Sequence, residues 1–472
     1  TLPRLKPRCF YDIVVEVALI RPGPIQGRSV NPYLRRRSGR EEVTYLHPLL
    51  EPALRQTLGV PLFQEQLMRI ATDAAGLSGA RADQLRRAMG AKRSPERMEA
   101  LKGDLMAGME ERGIDAPTRE RIFEQLKGFA DFGFPESHSF SFAHIVYASS
   151  WLKVHAPEHF YAAILASQPM GFYSPATLVQ DARRHGVRVV GPSVNDSLVD
   201  ASVQRVRDDE AGESYNPGRP ESLPSRGTVT LDVDRELAVR IGLSQVRGLG
   251  AAAERIVEAR RQGAFTSQAD LARRAHVSAS AMEKLAMAGA LECLGVGRRE
   301  GAWAAGALAQ PQARAGQWQP FLPGTEVGAR VPMLPSLSEV ERMRSDIAST
   351  GVTPGRHPFS YVRGSLPASV LRAGELGQHL AGRIVDIAGV VTHRQRPHTG
   401  GGITFLSLED ETGFVNVSVS VGAWKKFRRV CLESNALLVR GTLEWGDGAI
   451  NVQAFRITSV DLPIDVRSRD FR

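Results

Sequence analysis

The stretch VRGLGAAAERIVEARRQGAF, residues 246–265, decides the character of the central part of the chain. Gly248 and Gly250 flank one leucine, and a segment with helical composition follows them. Glycine has no Cβ to block an approaching anion, and the N–H groups of a helix's first turn point outward at its positive end. The motif therefore predicts a phosphate site, to which Arg247 and Arg255 add positive charge.

A second stretch of similar form, SASAMEKLAMAGALECLG, follows at residues 278–295, with Gly289 at the equivalent break. Two such units in succession resemble a tandem helix-hairpin-helix module, here residues 246–300, which grips the backbone of duplex DNA without reading its sequence. The alternative is a pair of glycine-capped helices that serve packing alone. Because the unit occurs twice, we favour DNA binding, with candidate contacts at Arg247, Gly248, Gly250, Arg255 and Gly289.

Downstream, composition predicts a linker at residues 301–335, a connecting segment at 336–380 and a tail at 463–472. Between them, residues 381–462 alternate polar and apolar side chains in short runs, which predicts five strands and a small barrel that resembles an OB-fold. Such barrels bind single strands through basic grooves and stacking aromatics. Arg394 and Arg396, placed in the first loop, and Lys425 after the third strand are candidate contacts. For Phe405 and Trp424, core packing is the favoured role.

Upstream, apolar spacing predicts a helical region over residues 1–170, with Pro157 bending or splitting a helix over 140–167. Residues 171–245 read as a connecting α/β segment with a disordered loop at 206–227. The stretch RADQLRRAMGAKR, residues 81–93, puts Arg86 and Arg87 on a helix with Lys92 nearby. Several cations on one helix suit a triphosphate, although a solvated basic face explains the spacing equally well.

The bulk composition of the 472 residues limits the class of protein. The formal net charge is +9, and residues 1–40, including Arg21, carry nine Lys or Arg against two acids, which favours a polyanionic partner. No apolar run is long enough to cross a membrane. Three scattered cysteines indicate a reducing, cytoplasmic setting and no metal site. The start, TLPRLKPRCF, reads as cut from a longer chain.

Five motifs now stand in one order along the chain. They are RPGPIQG at 21–27, PLFQEQLMRIA at 61–71, LRRAMG at 85–90, GFPESHSFSFAHIVYASSWLKVHAPEHF at 133–160 and the glycine hairpin at 248–250. Together with GRHP at 355–358 and the terminal barrel, they resemble the C-terminal part of bacterial DNA polymerase III alpha subunits, family C. The resemblance implies a multidomain α+β chain with the end of the palm and a helical fingers region, a tandem helix-hairpin-helix module and a C-terminal OB-fold barrel.

The resemblance also assigns roles to individual residues. Arg86, Arg87 and Lys92 would face the incoming dNTP, with His138 and Ser139 near the nucleotide. Primer-template DNA would be the other ligand.

Catalysis is expected to depend on residues outside the chain. By the same resemblance, the family's three catalytic aspartates lie upstream of Thr1, so the chain is expected to hold no catalytic or metal-binding residue. Mg²⁺ would be held by those aspartates and the dNTP. Asp232 and Asp234 have the spacing of a metal pair, but without a third carboxylate we expect no metal there. The isolated chain is predicted to be inactive.

Finer details favour one branch of the family. Glu136 and Phe142 stand where replicative members usually have Lys and Tyr, which is similar to the error-prone, damage-tolerance paralogue (the ImuC type). That branch implies translesion synthesis, recruitment through a Y-family-like accessory protein of the mutasome, and at most an indirect contact with the sliding clamp. The stretch at Gln317–Phe321 is a poor match to a clamp-binding peptide. The alternatives are the replicative alpha subunit and, in another class, a non-catalytic DNA-binding module.

Overall fold

The structure is a computed structural model that describes residues 2–20, 30–88, 99–130, 134–171, 173–205, 230–309, 332–397, 401–446, 449–464 and 469–471. These residues form two compact units, one up to Ser150 and one from Trp151 onward. Thr1, upstream of which the catalytic aspartates are expected, lies outside the described residues. So do the predicted sites at Arg21 and Lys92, the predicted loop at 206–227 and residues 310–331 of the expected linker.

The first unit is helical, as the apolar spacing predicts. Its helices are α1 (Leu2–Leu5), α2 (Phe10–Leu19), α3 (Val30–Arg37), α4 (Glu51–Leu54), α5 (Gln64–Asp73), α6 (Gly79–Ala88), α7 (Lys102–Glu111), α8 (Ala116–Ala130) and α9 (Glu136–His155), of which the last runs on into the second unit. Short 3₁₀ turns at Pro48–Leu50 and Arg55–Thr57 flank α4.

Helix α5 shows how the sequence specifies this unit. Leu67, Ile70 and Ala71 recur at helical spacing and are buried against α7 and α8. The start of the helix is fixed by Gln66, whose side-chain oxygen accepts the N–H groups of Leu62 and Phe63. Because Gln66 is itself buried, these bonds also satisfy its side-chain oxygen, and its amide nitrogen donates to Ala53 and Thr57. The first unit thus gains a defined helix entry.

Pro157 breaks the long helical stretch, as predicted. Helix α9 ends at His155, and α10 (Pro157–Ala166) begins with the proline at its first position. Proline is tolerated there because the N–H that it lacks would have no helical partner. The first of the two helices begins at Glu136, four residues before the expected start.

The second unit begins with a small sheet. Strand β3 (Leu237–Arg240) lies in the middle, parallel to β1 (Arg188–Val190) and antiparallel to β2 (Ser202–Arg205). Helices α10 and α11 (Pro175–Arg184) supply apolar side chains, such as Tyr161 and Val179, to the cluster on this sheet. Residues 228–245 have a pattern typical of a strand or hairpin, and among the described residues of this stretch Leu237–Arg240 forms a ladder.

Four helices then pack into one cluster. They are α12 (Ala252–Arg260), α13 (Gln268–Ala275), α14 (Ala279–Met287) and α15 (Arg298–Ala309), with a 3₁₀ turn at Leu243–Gln245 before them and another at Glu292–Leu294. Ile256, Leu271, Met282 and Leu285 lie at the centre of this cluster and are inaccessible to solvent. The expected linker therefore begins too early at residue 301, since α15 continues to Ala309.

The C-terminal barrel is confirmed. Its strands are β5 (Ile384–Gln395), β6 (Thr404–Asp410), β7 (Gly413–Val419), β8 (Ala436–Gly446) and β9 (Ala449–Ser459). The order β5-β6-β7-β9-β8 closes through pairing of β8 with β5, and β7 with β9 is the parallel pair. Helix α17 (Val421–Glu433) follows β7 and covers the barrel interior with Trp424 and Cys431. Two short strands, β4 (Val370–Leu371) and β10 (Arg469–Phe471), pair with β5 in parallel.

Buried ion pairs join the barrel to the preceding segments of the second unit. Arg184, at the end of α11, contacts Glu409 of β6 at 2.7 Å. Arg363, from the 3₁₀ turn after Pro358–Tyr361, contacts Asp410 at 2.9 Å and Glu411 at 2.8 Å. Helix α16 (Glu339–Thr350) precedes these turns. Since buried charges are costly without partners, these pairs hold the barrel in one orientation against α11 and the 358–365 turns.

Candidate nucleic-acid interface

The glycine hairpin is built on two buried anchors. Val246 and Leu249 point into the helical cluster, and the N–H of Leu249 donates to the carbonyl of Val246 at 3.2 Å. Gly248 and Gly250 alternate with them at φ values of 73° and 53°, in the left-handed region that suits glycine. Helix α12 begins two residues later, so both glycines lie at its N-terminus, as predicted.

This turn leaves backbone donors open. Within the described part of the chain, no acceptor is found for the N–H groups of Gly248, Gly250 and Ala251. Gly250 is exposed, and a Cβ added to it would meet nothing within 4 Å. Unpaired N–H groups at a helix N-terminus attract anions, and an unobstructed surface lets a phosphate reach them.

The cations around the turn differ from the predicted set. Lys284, on α14, donates to the carbonyl of Gly248 at 3.4 Å and was not singled out from the sequence. Arg247 is exposed, and its guanidinium donates to the carbonyl of Ala348 at 3.1 Å. Arg255 is exposed as well and donates to the carbonyl of Ala275 at 3.3 Å. Because these bonds go to neutral carbonyls, all three groups keep their positive charge, and that of Lys284 lies directly at the turn.

Gly289, predicted as the equivalent contact in the second unit, is placed differently. It has a φ of 78° but is buried, and a Cβ there would lie 2.7 Å from a guanidinium nitrogen of Arg298. Arg298 contacts Asp346 at 2.6 Å and Glu292 at 2.9 Å. Desolvation lowers the pKa of Arg298, but the two acids outweigh it and the pKa is raised. Gly289 thus makes room for an internal ion pair, and its expected contact with DNA is wrong for this geometry.

In the first unit, Arg86 and Arg87 lie at the end of α6. Their side chains are 43% and 74% exposed, and both contact one carboxylate, Asp83, at 2.8 Å and 2.7 Å. The hydrogen bond from Arg86 is the largest cause of a lowered pKa at Asp83. Exposed pairs of this kind are weak, so two guanidinium groups against one acid keep a net positive charge available to an anion.

The two residues expected near the nucleotide separate in the structure. His138 is exposed on α9, with its ring 5.2 Å from that of Phe134 and 4.6 Å from that of Phe142. Ser139 is fully buried, and its hydroxyl finds no hydrogen-bond partner among the described residues. Successive residues on a helix are rotated by about 100° around its axis, so His138 and Ser139 point to different sides of α9. Ser139 is therefore packed inward here and is not an accessible contact.

Arg394 corrects a second expectation. It was placed in a loop, but it lies on β5 and points inward, donating to the carbonyls of Cys431 and Ser434 at 2.6 Å each. A bulge between Val391 and His393 shifts the register of β5 by one residue. Such a shift exchanges the two faces of a strand, which explains why Arg394 is buried.

Other barrel candidates remain accessible. Arg396 is exposed, with its guanidinium 5.8 Å from the ring of Trp424, which is a core residue as favoured. Lys425 is exposed on α17, and Lys426 and Arg428 beside it are exposed too. Phe405 is 40% exposed on β6, so the core role favoured for it is wrong. Basic side chains and the ring of Phe405 are thus exposed on the barrel, whereas Trp424 belongs to its core.

The aspartates at 232 and 234 each contact a different residue of the preceding helices. Asp232 lies 2.7 Å from the ring nitrogen of His155, and the N–H of Asp234 donates to Glu158. Over the described ranges, no group of three or more His, Cys, Asp or Glu side chains could hold a metal ion. None of the helices in those ranges combines the length and hydrophobicity needed to span a membrane.

Comparisons with known proteins agree with this architecture. Residues 1–113 match the model of the bacterial DNA polymerase III alpha subunit finger domain, residues 186–301 a helix-hairpin-helix motif, and residues 385–460 an OB-fold nucleic acid binding domain. The helix-hairpin-helix match begins well before residue 246 and so includes the small sheet.

Among curated proteins, the whole chain is 50% identical to an error-prone DNA polymerase of Mycobacterium bovis, of which it covers 40%. Error-prone DNA polymerases of Nocardia farcinica and Cutibacterium acnes are 49% and 48% identical over the whole chain, which covers 39% and 42% of their lengths. The chain thus spans about two fifths of the length of these relatives. It contains regions that match the finger domain of the bacterial DNA polymerase III alpha subunit, a helix-hairpin-helix motif and an OB-fold, and over its whole length it is similar to error-prone DNA polymerases.

Proposed function

We propose that this chain is the C-terminal, DNA- and nucleotide-binding part of an error-prone DNA-directed DNA polymerase that acts in translesion synthesis and induced mutagenesis. The observation that carries the proposal is the glycine turn at the start of α12. Three of its N–H groups find no acceptor in the described chain, and the ammonium group of Lys284 contacts it. Arg247 and Arg255, beside the turn in the sequence, keep their positive charge. Together these groups suit successive phosphates of a duplex backbone, whose binding needs no base contact.

The fingers region would supply the nucleotide contacts. Arg86 and Arg87 are exposed and carry net positive charge, and His138 offers an exposed ring nitrogen. Guanidinium groups bind phosphate oxygens in pairs, which suits the triphosphate of a dNTP. Lys92 stays part of the proposed set. Ser139 would join it only if α9 were repacked, since the hydroxyl is now enclosed.

The barrel would bind the single-stranded template through Arg396, Lys425 and the exposed ring of Phe405. Base stacking on an exposed aromatic ring and a basic groove are the features of sequence-tolerant strand binding. The same surface could instead receive a partner protein. A pull-down with the Y-family-like accessory protein, in competition with single-stranded DNA, distinguishes the two occupants.

The described residues offer no carboxylate cluster suited to Mg²⁺, so no step of phosphoryl transfer is assigned to them. In the complete polymerase, aspartates that we place upstream of Thr1 would hold the metal ions that activate the primer oxygen. The 472-residue chain should therefore bind primer-template and extend none of it. Templated extension by the purified chain would contradict this assignment.

The experiment that tests the proposed function measures the KM for dNTP and the Kd for primer-template in the full-length polymerase. The Arg86→Ala, Arg87→Ala double variant should raise the KM for dNTP by about tenfold or more while the Kd for primer-template changes little, because each lost phosphate contact is charge-assisted. A matched Arg35→Ala variant, which removes another exposed arginine paired with one acid, should leave KM unchanged. If the double variant raised the KM for dNTP and the Kd for primer-template by the same factor, the result would instead support a plain DNA-binding module.

The proposal also includes where the polymerase works and how it is recruited. The polymerase would work in the cytoplasm and be recruited by the Y-family-like protein, with clamp contact only through it. Residues 317–321, the poor match to a clamp-binding peptide, lie outside the described residues. Strong binding of the clamp by this chain alone would contradict indirect recruitment. A replicative alpha subunit is the alternative, and lesion bypass by the full-length protein separates the two.

A further inference from the structure

Helix α9 has apolar side chains around most of its circumference. Its sequence, ESHSFSFAHIVYASSWLKVH, places bulky apolar residues at 142, 145, 146 and 147, which fall on more than one side of the helix. A helix of this composition is normally buried, because only burial on several sides keeps such side chains from water. The sequence of α9 therefore predicts packing contacts on more than one face of the helix.

The structure supplies a partner on one side only, within the described residues. Ala143 is buried in the cluster formed by α2, and the ring of Phe10 lies against Phe140, His144 and Tyr147 at centroid distances of 6.1, 4.7 and 6.3 Å. Away from that contact, large side chains stay open to solvent. Their exposed fractions are 45% for Phe142, 61% for Ile145 and 42% for Val146.

We infer that this face of α9, defined by Phe142, Ile145 and Val146, is an intramolecular docking surface for the part of the polymerase polypeptide that lies outside these 472 residues. Contiguous apolar patches on a soluble protein usually mark an interface. The chain aligns over its whole length with relatives of which it covers only about 40%, so those proteins contain a large region that could cover the patch.

Charge argues against nucleic acid as the occupant. Residues 136–152 of α9 contain no Lys or Arg, and the first Lys or Arg on the helix is Lys153. DNA binding derives most of its affinity from cations placed against phosphates, so an apolar face without them suits a protein surface. The inference needs neither DNA binding nor catalysis by this chain, and it can fail while the proposed function stands.

The test compares the 472-residue chain with the full-length polymerase by hydrogen–deuterium exchange. Amides of residues 140–150 should exchange at least tenfold more slowly in the full-length protein. In that protein, Ile145→Glu should restore fast exchange and lower the Tm, whereas in the 472-residue chain it should change neither. The matched variant Ile384→Glu, at a side chain 59% exposed on β5, should leave the exchange of α9 unaltered in both proteins.

Two results would overturn the inference. One is equal exchange of residues 140–150 in both wild-type proteins, which needs no variant and so does not depend on Ile145→Glu folding. The other is protection in the 472-residue chain that grows with protein concentration and disappears in Ile145→Glu. Sedimentation of the same samples would then show that a second copy of the chain covers the surface.

Discussion

The ammonium group of Lys284 lies 3.4 Å from the carbonyl oxygen of Gly248 and donates to it. Thirty-six positions separate the two residues, and the contact ties α14 to the glycine hairpin before α12. It orients one face of the turn's backbone toward a cation, while the N–H groups of Gly250 and Ala251 find no acceptor in the described chain. The phosphate site that we propose is therefore assembled from two distant segments.

Lys284→Gln should reduce the number of ions released on DNA binding. Loss of one cation beside a phosphate flattens the plot of log Kobs against log salt by about one unit and weakens binding several-fold at low salt. Fluorescence anisotropy of a labelled duplex measures both. Lys102→Gln is the matched control, because Lys102 pairs with Glu120 in the other unit. An unchanged slope in Lys284→Gln would remove this lysine from the interface.

Arg394 and Arg396 should respond differently to the same substitution. Arg394→Met leaves the carbonyls of Cys431 and Ser434 without their donor, which should cost about 2–4 kcal/mol of unfolding free energy. Arg396→Met, at an exposed side chain, should stay within about 0.5 kcal/mol of wild type but weaken single-stranded DNA binding. Denaturant unfolding and anisotropy separate the two effects. Weakened DNA binding by a stably folded Arg394→Met would restore the original prediction for Arg394.

His357 should make the chain sensitive to acid. Burial, with Arg184 and Arg363 nearby, lowers the pKa of His357 from 6.5 to about 3, and its Nδ1 accepts the N–H of Phe359. The folded state therefore resists protonation. The stabilising contribution is complete above pH 6.5 and is lost as the pH falls, by about 2 kcal/mol at pH 5.

The check is the difference in unfolding free energy between wild type and His357→Asn across pH 8 to pH 5. Asparagine can still accept the capping N–H but does not titrate. Burial raises the pKa of Glu409 to about 7, so its contribution has the opposite sign and is lost as pH rises. Both proteins contain Glu409, and the difference isolates the histidine. Parallel pH profiles would show that His357 is not the titrating group.

The sequence predicted the elements whose signals are local. The glycine turn, the break at Pro157 and the five barrel strands all follow from neighbouring residues, and each was confirmed. Turn chemistry and strand alternation act over a few positions, so a pattern in the chain is enough to specify them.

Residue roles that depend on distant partners were harder to predict. Gly289 has a positive φ like that of Gly250, but Arg298 fills the space beside it. Arg394 points inward because of a bulge that alternation alone does not reveal. Lys284 reaches the turn only through the packing of α14. In each case the deciding atom belongs to a different segment of the chain.

The most direct measurement is the affinity of Gly250→Val for a short duplex at low salt. Gly250 and Gly113 both have positive φ, at 53° and 76°, and open space around a new Cβ, so their Val variants carry similar backbone strain. We predict that Gly250→Val weakens duplex binding about tenfold or more, since its side chain would cover the open N–H groups. Gly113→Val should bind like wild type. Equal Kd values for Gly250→Val and wild type, with circular dichroism unchanged, would contradict a phosphate site at this turn.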